Sequence, residues 1–139
     1  MKNSLLQLSK PQWGDKITLV NYWGRRYGSE KDVFYKDADI FVFPTLNEAF
    51  GLVAVEAMEY KIPVVASAEG GIPDIINNGN SGYTVEKNNP MALASAIELL
   101  IKDPELCNSM GEAGRRQFEE KFTEEVFEKK MKECLEKAI

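Results

Sequence analysis

Glu48 and Glu56 are the residues whose type and spacing most directly suggest chemistry. Glu48 lies in a polar loop after an apolar run, and Glu56 lies within the apolar segment 52–58, which is predicted to be helical. A carboxylate in so apolar a run is costly unless hydrogen-bond donors satisfy it. Vicinal hydroxyls, such as those of a ribose, are suitable donors because an ionised carboxylate accepts several hydrogen bonds. From spacing alone, the alternative that Glu56 faces solvent or caps a neighbouring loop stays open.

Three loops that contain glycine, at 24–28, 44–51 and 67–74, each follow a predicted strand. Ligands of open α/β sheets bind at the carboxyl ends of the strands. Glycine lets backbone N–H groups approach an anion closely. Helices that begin at Gly51 and near Pro73 would direct their positive ends to the same edge. The pattern predicts a ligand that carries phosphate, such as a nucleotide.

The elements that must position these loops alternate between strand and helix. The continuous apolar run at 40–43 is typical of a strand covered on both faces in a parallel sheet. We predict strands at 17–20, 40–43, 62–66 and 83–85, helices at 30–37, 51–60 and 73–77, and three further helices toward the C-terminus. The fold class is therefore α/β, with a Rossmann-like, mostly parallel sheet flanked by helices. Residues 17–139 would form this domain, after a poorly defined segment at 1–16.

Local signals also predict helix boundaries and faces. Four helix starts carry an N-cap residue, and in two of them a proline follows it: Ser29, Asn89, Asp103 and Thr123. The helix at 30–37 is expected to bury Val33, Phe34 and Ala38. Leu5, Leu6 and Leu8 are expected to lie on one side of a short helix. The last helix combines an apolar stripe with a charged, solvated face.

Composition excludes several classes of function. The chain has 139 residues, 44% of them hydrophobic, which is enough for one domain with a real core. It contains no histidine, which removes a histidine base and most zinc sites. The net charge of −5, without a basic stripe, argues against nucleic acid as a partner. No apolar run is long enough to span a membrane. Cys107 and Cys134 do not have the spacing of metal ligands, which favours free thiols. Together these features favour a cytoplasmic protein.

Other candidate motifs are weaker. The sequence Asp37-Ala38-Asp39 has the D-x-D pattern of metal-dependent sugar transferases, but it precedes a strand and so lies opposite the expected ligand edge. A role at a helix end or turn is therefore favoured. Ser67 has no base at hand for nucleophilic catalysis. Arg25 and Arg26 could contact phosphate or could be ordinary surface residues, and the sequence leaves both readings open.

Several of these segments occur together, in order, in one known family. The runs ADIFVFPT, EAFGLVAVEAM, IPVVAS, GGIPDII and NGNSGYTV resemble the donor-binding C-terminal domain of retaining glycosyltransferases of the GT-B fold, family 4. The E-x7-E element of that family matches Glu48 and Glu56. The resemblance begins near Ile17 and extends to the C-terminus. It implies transfer of a sugar from a nucleoside-diphosphate donor, UDP- or GDP-linked, with retention and without an obligatory metal ion or other cofactor.

The resemblance also implies a role for each matching residue. Glu48 would be the catalytic-site carboxylate that contacts the donor sugar's hydroxyls, and Glu56 would hold the ribose hydroxyls. Gly24 and Arg25 fall where family members line the base pocket. Backbone N–H groups would be presented to the sugar and diphosphate by Ala49, Phe50, Gly51 and Leu52.

The chain departs from the family pattern in its length. Family enzymes have two Rossmann-like domains, and the N-terminal acceptor domain has no counterpart here. We therefore expect an incomplete donor domain with little transferase activity alone, a tendency to self-associate, and peripheral membrane association only for a full-length enzyme. A non-catalytic nucleotide-binding or interaction module of the same ancestry is the alternative. A flavodoxin-like regulatory domain is less favoured because no acidic cluster follows the first strand.

Overall fold

The computed structural model describes residues 4–6 and 20–139, with side chains from Trp23 onward. The chain divides into two compact units, Met1–Phe34 and Tyr35–Ile139, and each is treated by itself. In the part of the chain described, no helix combines the length and the apolarity that crossing a membrane requires.

In the first unit, strand β1 (Ser4–Leu6) pairs antiparallel with strand β2 (Val20–Tyr22). The expected helix is therefore wrong at Leu5 and Leu6, because the backbone groups of these residues pair with a distant strand instead. Leu8, the third residue of that prediction, lies outside the described residues. The predicted strand at 17–20 overlaps β2 only at Val20, since 17–19 lie outside the described residues. Strand β2 pairs with β1 in a sheet of its own and takes no part in the parallel sheet.

Helix α1 (Ser29–Asp37) begins in the first unit and ends in the second. Val33 and Phe34 are 60% and 38% exposed, so the expectation that they are buried is wrong. Ala38, directly after the helix, packs on the core as predicted, and Tyr35 packs there with it. The prediction therefore holds for Ala38 but not for Val33 and Phe34.

The second unit continues with alternating strands and helices. Its elements are β3 (Phe41–Phe43), α2 (Leu52–Glu59), β4 (Val64–Ser67), α3 (Ile72–Ile75), β5 (Gly82–Val85), α4 (Pro90–Lys102), α5 (Pro104–Lys121) and α6 (Glu124–Lys137). Each element predicted from residue 40 onward is present, and the boundaries that were predicted shift by at most two residues.

Strands β3, β4 and β5 form a parallel sheet with β4 in the centre, which confirms the predicted fold class. Successive side chains of a strand point to opposite faces of a sheet. Val64 and Ala66 accordingly join one core cluster, with residues of α2 and α3, while Val65 joins a second cluster with residues of α4 and α5. All four residues of β4 are buried, as a strand covered on both faces requires.

Three of the four predicted N-caps are present, each with a side-chain oxygen that accepts a backbone N–H of the first turn, whereas Ser29 is the first residue of α1. The distances are 3.0 Å from Asn89 Oδ1 to Ala92 N, 3.1 Å from Asp103 Oδ1 to Leu106 N, and 3.3 Å from Thr123 Oγ1 to Val126 N. Both cysteines are free, also as predicted.

Helix α6 carries its apolar stripe on an exposed surface. Phe127, Met131 and Leu135 are 62%, 45% and 59% exposed, and α6 has no buried residue. An open groove of about 570 Å³ runs along this side of the helix. The stripe was predicted, but among the described residues its Phe127, Met131 and Leu135 remain largely exposed.

Candidate functional site

The loop between β3 and α2 brings a carboxylate onto two backbone N–H groups that directly precede a helix. Glu48 Oε1 accepts hydrogen bonds from Phe50 N at 3.1 Å and from Gly51 N at 2.9 Å. Gly51 is the N-cap residue of α2, with a left-handed φ of 75°. The N–H of an N-cap residue has no partner within the helix, and here the Glu48 side chain supplies one.

These hydrogen bonds act on the charge of Glu48. The N–H groups of Gly51 and then Phe50 stabilise the ionised form and lower the pKa of the Glu48 carboxyl below its usual range. The positive end of α2 favours negative charge at the same place. Phe50 and Gly51, both predicted as anion donors, therefore direct their N–H groups to one negatively charged oxygen.

The loop that follows β4 packs directly on this one. Gly71 N donates to Ala49 O at 2.9 Å. Gly70 has a φ of +53°, and a Cβ at this position would overlap the carbonyl oxygen of Glu48. Only glycine allows so close an approach with this backbone conformation. Two of the three glycine loops predicted from the sequence are thus in contact at the carboxyl edge of the parallel sheet.

Further contacts hold the loop after β4 against β5. Ala68 N donates to Val85 O at 2.7 Å, and Lys87 Nζ lies 3.1 Å from Glu69 Oε2. A pocket of about 230 Å³ opens at the carboxyl edge of the parallel sheet. It is lined by Pro44, Leu46, Ser67, Val85, Glu86, Asn88, Asn89, Pro90 and Leu93. Glu48 and Glu56 line neither this pocket nor the groove on α6.

Glu56 is half-buried on α2 and accepts a hydrogen bond from a tyrosine. Tyr35 Oη donates to Glu56 Oε2 at 2.8 Å. The ring of Tyr35 stacks on Tyr60, with centroids 5.2 Å apart and an interplanar angle of 11°. Burial, and then the hydrogen bond to Glu56 and the charge of Glu56, raise the pKa of Tyr35. The phenol therefore stays protonated and donates to the carboxylate at neutral pH.

Tyr35 was not among the site residues predicted from the sequence. Its hydroxyl is separated from Glu56 by 21 positions, so no local pattern links the two residues. One signal was available, because a buried tyrosine hydroxyl needs a partner and a carboxylate in an apolar helix needs a donor. A tyrosine that needs an acceptor and a carboxylate that needs a donor together suggest a hydrogen bond between Tyr35 and Glu56.

The roles predicted for the remaining candidate residues stay predictions. Gly24 and Arg25 are exposed residues of the first unit, so their assignment to a base pocket stays a prediction. Leu52, the first residue of α2, is 66% exposed. Asp37 ends α1, and Asp39 lies in the bend before β3, at the amino edge of the sheet as predicted. Across the described residues, no cluster of three or more potential metal ligands occurs.

The fold and this loop define an α/β domain with an anion-accepting loop at the carboxyl edge of its sheet. The family model described as "Glycosyl transferases group 1" matches residues 16–117. The chain belongs to this family, and the resemblance inferred from its motifs is confirmed.

Among its relatives, the capsular polysaccharide biosynthesis glycosyltransferase CapM of Staphylococcus aureus is 38% identical over 101 residues, which are 73% of this chain and 27% of CapM. The C-terminal domain of the group 1 glycosyl transferase LpcC from Francisella tularensis is 32% identical, with a TM-score of 0.67 over 73% of this chain and 52% of that one. Anabaena HepE, crystallised with UDP-glucose, is 25% identical, with a TM-score of 0.68 over 75% of this chain and 29% of its own. The chain thus spans about a quarter of the length of CapM.

Proposed function

We propose that this chain binds the nucleoside-diphosphate sugar donor of a glycosyltransferase. In the proposal, the full-length protein transfers the sugar with retention to a glycan or lipid acceptor. The observation that carries this function is the convergence of Phe50 N and Gly51 N on one carboxylate oxygen at the positive end of α2. A site that holds a carboxylate in this way has the donors and the field that a phosphate oxygen needs.

The diphosphate takes over the N–H groups of Phe50 and Gly51 when the donor binds. Glu48, released from them, then accepts hydrogen bonds from hydroxyls of the donor sugar. As the bond between the sugar carbon and the diphosphate breaks, negative charge grows on the leaving diphosphate. Fixed N–H groups and the end of α2 stabilise that charge without having to reorganise.

Glu56 serves the nucleoside in this proposal. Its half-buried carboxylate already accepts one hydrogen bond from Tyr35, and an ionised carboxylate offers about four lone-pair sites. Adjacent ribose hydroxyls provide two donors with matching spacing. The two glutamates therefore divide the donor between them, with Glu48 at the sugar and Glu56 at the ribose.

The names of two relatives support a proposal for the class of donor and acceptor. HepE was crystallised with UDP-glucose, and the name of CapM refers to capsular polysaccharide. A uridine- or guanosine-linked hexose is accordingly the proposed donor, with a growing glycan or a glycolipid as acceptor. The family resemblance favours a mechanism that needs no metal ion.

Calorimetric titration of the full chain tests this function. UDP and GDP are compared with their hexose conjugates against the unmodified chain, Glu48→Gln, Glu56→Gln and the control Glu136→Gln on α6. We expect Glu56→Gln to weaken binding of the nucleoside diphosphate about tenfold or more, which is the contribution of a hydrogen bond to a charged group. Glu48→Gln should remove the extra affinity that the hexose provides.

Two outcomes would contradict the proposal. One is that neither nucleoside diphosphate binds at millimolar concentration. The other is that both glutamate variants bind like the Glu136→Gln control. Tight binding of the donor without transfer by the complete protein would favour the alternative, a non-catalytic nucleotide-binding module.

A further inference from the structure

Tyr35 and Glu56 form a partly buried contact between two side chains. The hydroxyl of Tyr35 lies 2.8 Å from Glu56 Oε2. The Tyr35 ring stacks on Tyr60 and packs against Phe41, whose centroid lies 5.8 Å away at an interplanar angle of 37°. Because two neighbouring rings hold the tyrosine, the position of its hydroxyl is fixed by the core and not by the carboxylate.

The contact also has a fixed direction. An ionised carboxylate only accepts hydrogen bonds, and burial raises the pKa of Tyr35, so the phenol remains a donor. The hydrogen bond therefore anchors one oxygen of Glu56 to the end of α1. A glutamate side chain has several rotatable bonds, and this hydrogen bond restricts the rotamers that the Glu56 carboxylate can adopt.

We propose that Tyr35 is the positioning residue of Glu56, holding the carboxylate in the orientation that accepts both hydroxyls of a ribose. The inference rests on the proposed function of Glu56 and deepens it. Two hydroxyls on adjacent carbons can both reach one carboxylate only when its plane is turned correctly. A group held in productive geometry before the ligand arrives loses less entropy on binding. Selectivity for ribonucleotides over 2′-deoxyribonucleotides should therefore depend on the Tyr35 hydroxyl.

Tyr35→Phe separates this role from packing, because phenylalanine retains the stacked ring and removes only the hydroxyl. Calorimetry with UDP and 2′-deoxy-UDP, or the guanosine pair if GDP binds better, gives a selectivity ratio for each variant. The control is Tyr83→Phe, which removes a tyrosine hydroxyl from β5 beside the second core cluster. Urea unfolding of each variant checks that the domain remains folded.

We expect the unmodified chain and Tyr83→Phe to prefer UDP by about tenfold or more, as a hydrogen bond to a charged group allows. Tyr35→Phe should reduce that ratio several-fold, with little change in the affinity for 2′-deoxy-UDP. The double variant Tyr35→Phe/Glu56→Gln should lose no more selectivity than Glu56→Gln alone, because the two residues act through one carboxylate.

One outcome overturns the inference while the proposed function stands. In it, Glu56→Gln loses the selectivity for UDP over 2′-deoxy-UDP, but Tyr35→Phe keeps that selectivity or weakens the binding of both nucleotides by the same factor. If Glu56→Gln keeps full selectivity for UDP, the ribose role of Glu56 fails, and the inference fails with it.

A second measurement needs no substitution. The unmodified chain is labelled with ¹³C at the tyrosine Cζ carbons and studied by NMR. UDP should shift the Tyr35 resonance more than 2′-deoxy-UDP does, because both ribose hydroxyls of UDP then share the Glu56 carboxylate with the Tyr35 hydroxyl. Equal shifts with both nucleotides would contradict the positioning role even if Tyr35→Phe did not fold.

Discussion

Gly70 lies so close to Glu48 that a Cβ at position 70 would overlap the carbonyl oxygen of Glu48. The neighbouring hydrogen bond, from Gly71 N to Ala49 O at 2.9 Å, joins the same two loops. The backbone position of Glu48, and with it the direction of the Phe50 and Gly51 N–H groups, therefore depends on the loop that follows β4. Residues about twenty positions apart act as one structural unit at the site.

The first prediction concerns Gly70→Ala. The new methyl group must push the two loops apart, because it meets backbone and not a flexible side chain. Gly79→Ala is a matched control, since Gly79 also has a positive φ, of 84°, but a Cβ there would have no neighbour within 4 Å. Strain alone should cost Gly79→Ala about 1–2 kcal/mol, and the overlap should cost Gly70→Ala about 1–3 kcal/mol more.

Urea unfolding measures both stabilities, and calorimetry with UDP or GDP measures the effect on the site. We expect weaker nucleotide binding only for Gly70→Ala. Equal losses of stability in the two variants, or unchanged binding by Gly70→Ala, would contradict the coupling between the loops.

The second prediction concerns the titration of Glu48. Hydrogen bonds from Gly51 and Phe50 lower its pKa, so their stabilising effect is fully present above the usual glutamate value of about 4.3. It is lost as the pH falls through the lower pKa of the folded state. NMR titration should show the Glu48 carboxyl and the amide protons of Phe50 and Gly51 changing together, at a pH below that of an unstructured glutamate.

Glu48→Gln provides the comparison for this titration. The amide shifts of Phe50 and Gly51 should lose their dependence on pH between about 5 and 2 in this variant, since glutamine does not titrate. A Glu48 midpoint at or above the ordinary glutamate value would show that the two N–H groups do not hold the carboxylate in solution.

The features that the sequence predicted well are those with local causes. Asn89, Asp103 and Thr123 cap helices within three residues of themselves, and the buried run of β4 needs no knowledge of its partners. The failures involve distant partners. Leu5 and Leu6 pair with β2 across more than ten positions, and their local pattern did not distinguish a strand from a helix.

At the candidate site, too, the features with local causes were predicted and those that depend on distant partners were not. A helix start at Gly51 and a carboxylate before it could be read locally, and both are present. The hydrogen bond between Tyr35 and Glu56 could not, because it depends on how α1 packs near α2. The contact between Gly70 and Glu48 likewise needs the register of β3 and β4, in which Phe43 pairs with Ala66.

The third prediction concerns divalent cations. The proposed site offsets the charge of the diphosphate with N–H groups and the end of α2, and the family resemblance implies no obligatory metal ion. We expect the affinity for UDP or GDP to change less than about threefold, under 1 kcal/mol, when Mg²⁺ is replaced by EDTA at constant ionic strength. A tenfold loss of affinity in EDTA, restored by Mg²⁺, would contradict this prediction.

The fourth prediction concerns the packing of α5 on the loop that follows α2. A Cβ at Gly111 would overlap the carbonyl oxygen of Lys61, whereas a Cβ at Gly114 would lie 3.5 Å from Met58 Cγ, an ordinary contact. Both glycines are buried in the same helix, where alanine is intrinsically favoured over glycine by about 1 kcal/mol. The difference between the two substitutions therefore isolates the cost of the overlap.

Gly114→Ala should leave the free energy of unfolding unchanged or raise it by up to about 1 kcal/mol. Gly111→Ala should lower it by up to about 2 kcal/mol, because the overlap costs about 1–3 kcal/mol and the helix propensity of alanine offsets about 1 kcal/mol of that. Urea unfolding followed by circular dichroism measures both values. Since α5 supports α2 through this contact, and α2 carries Glu56, Gly111→Ala should also weaken nucleotide binding. Equal stability of the two variants would mean that the backbone at Lys61 moves aside at little cost, and that α5 does not fix the position of α2.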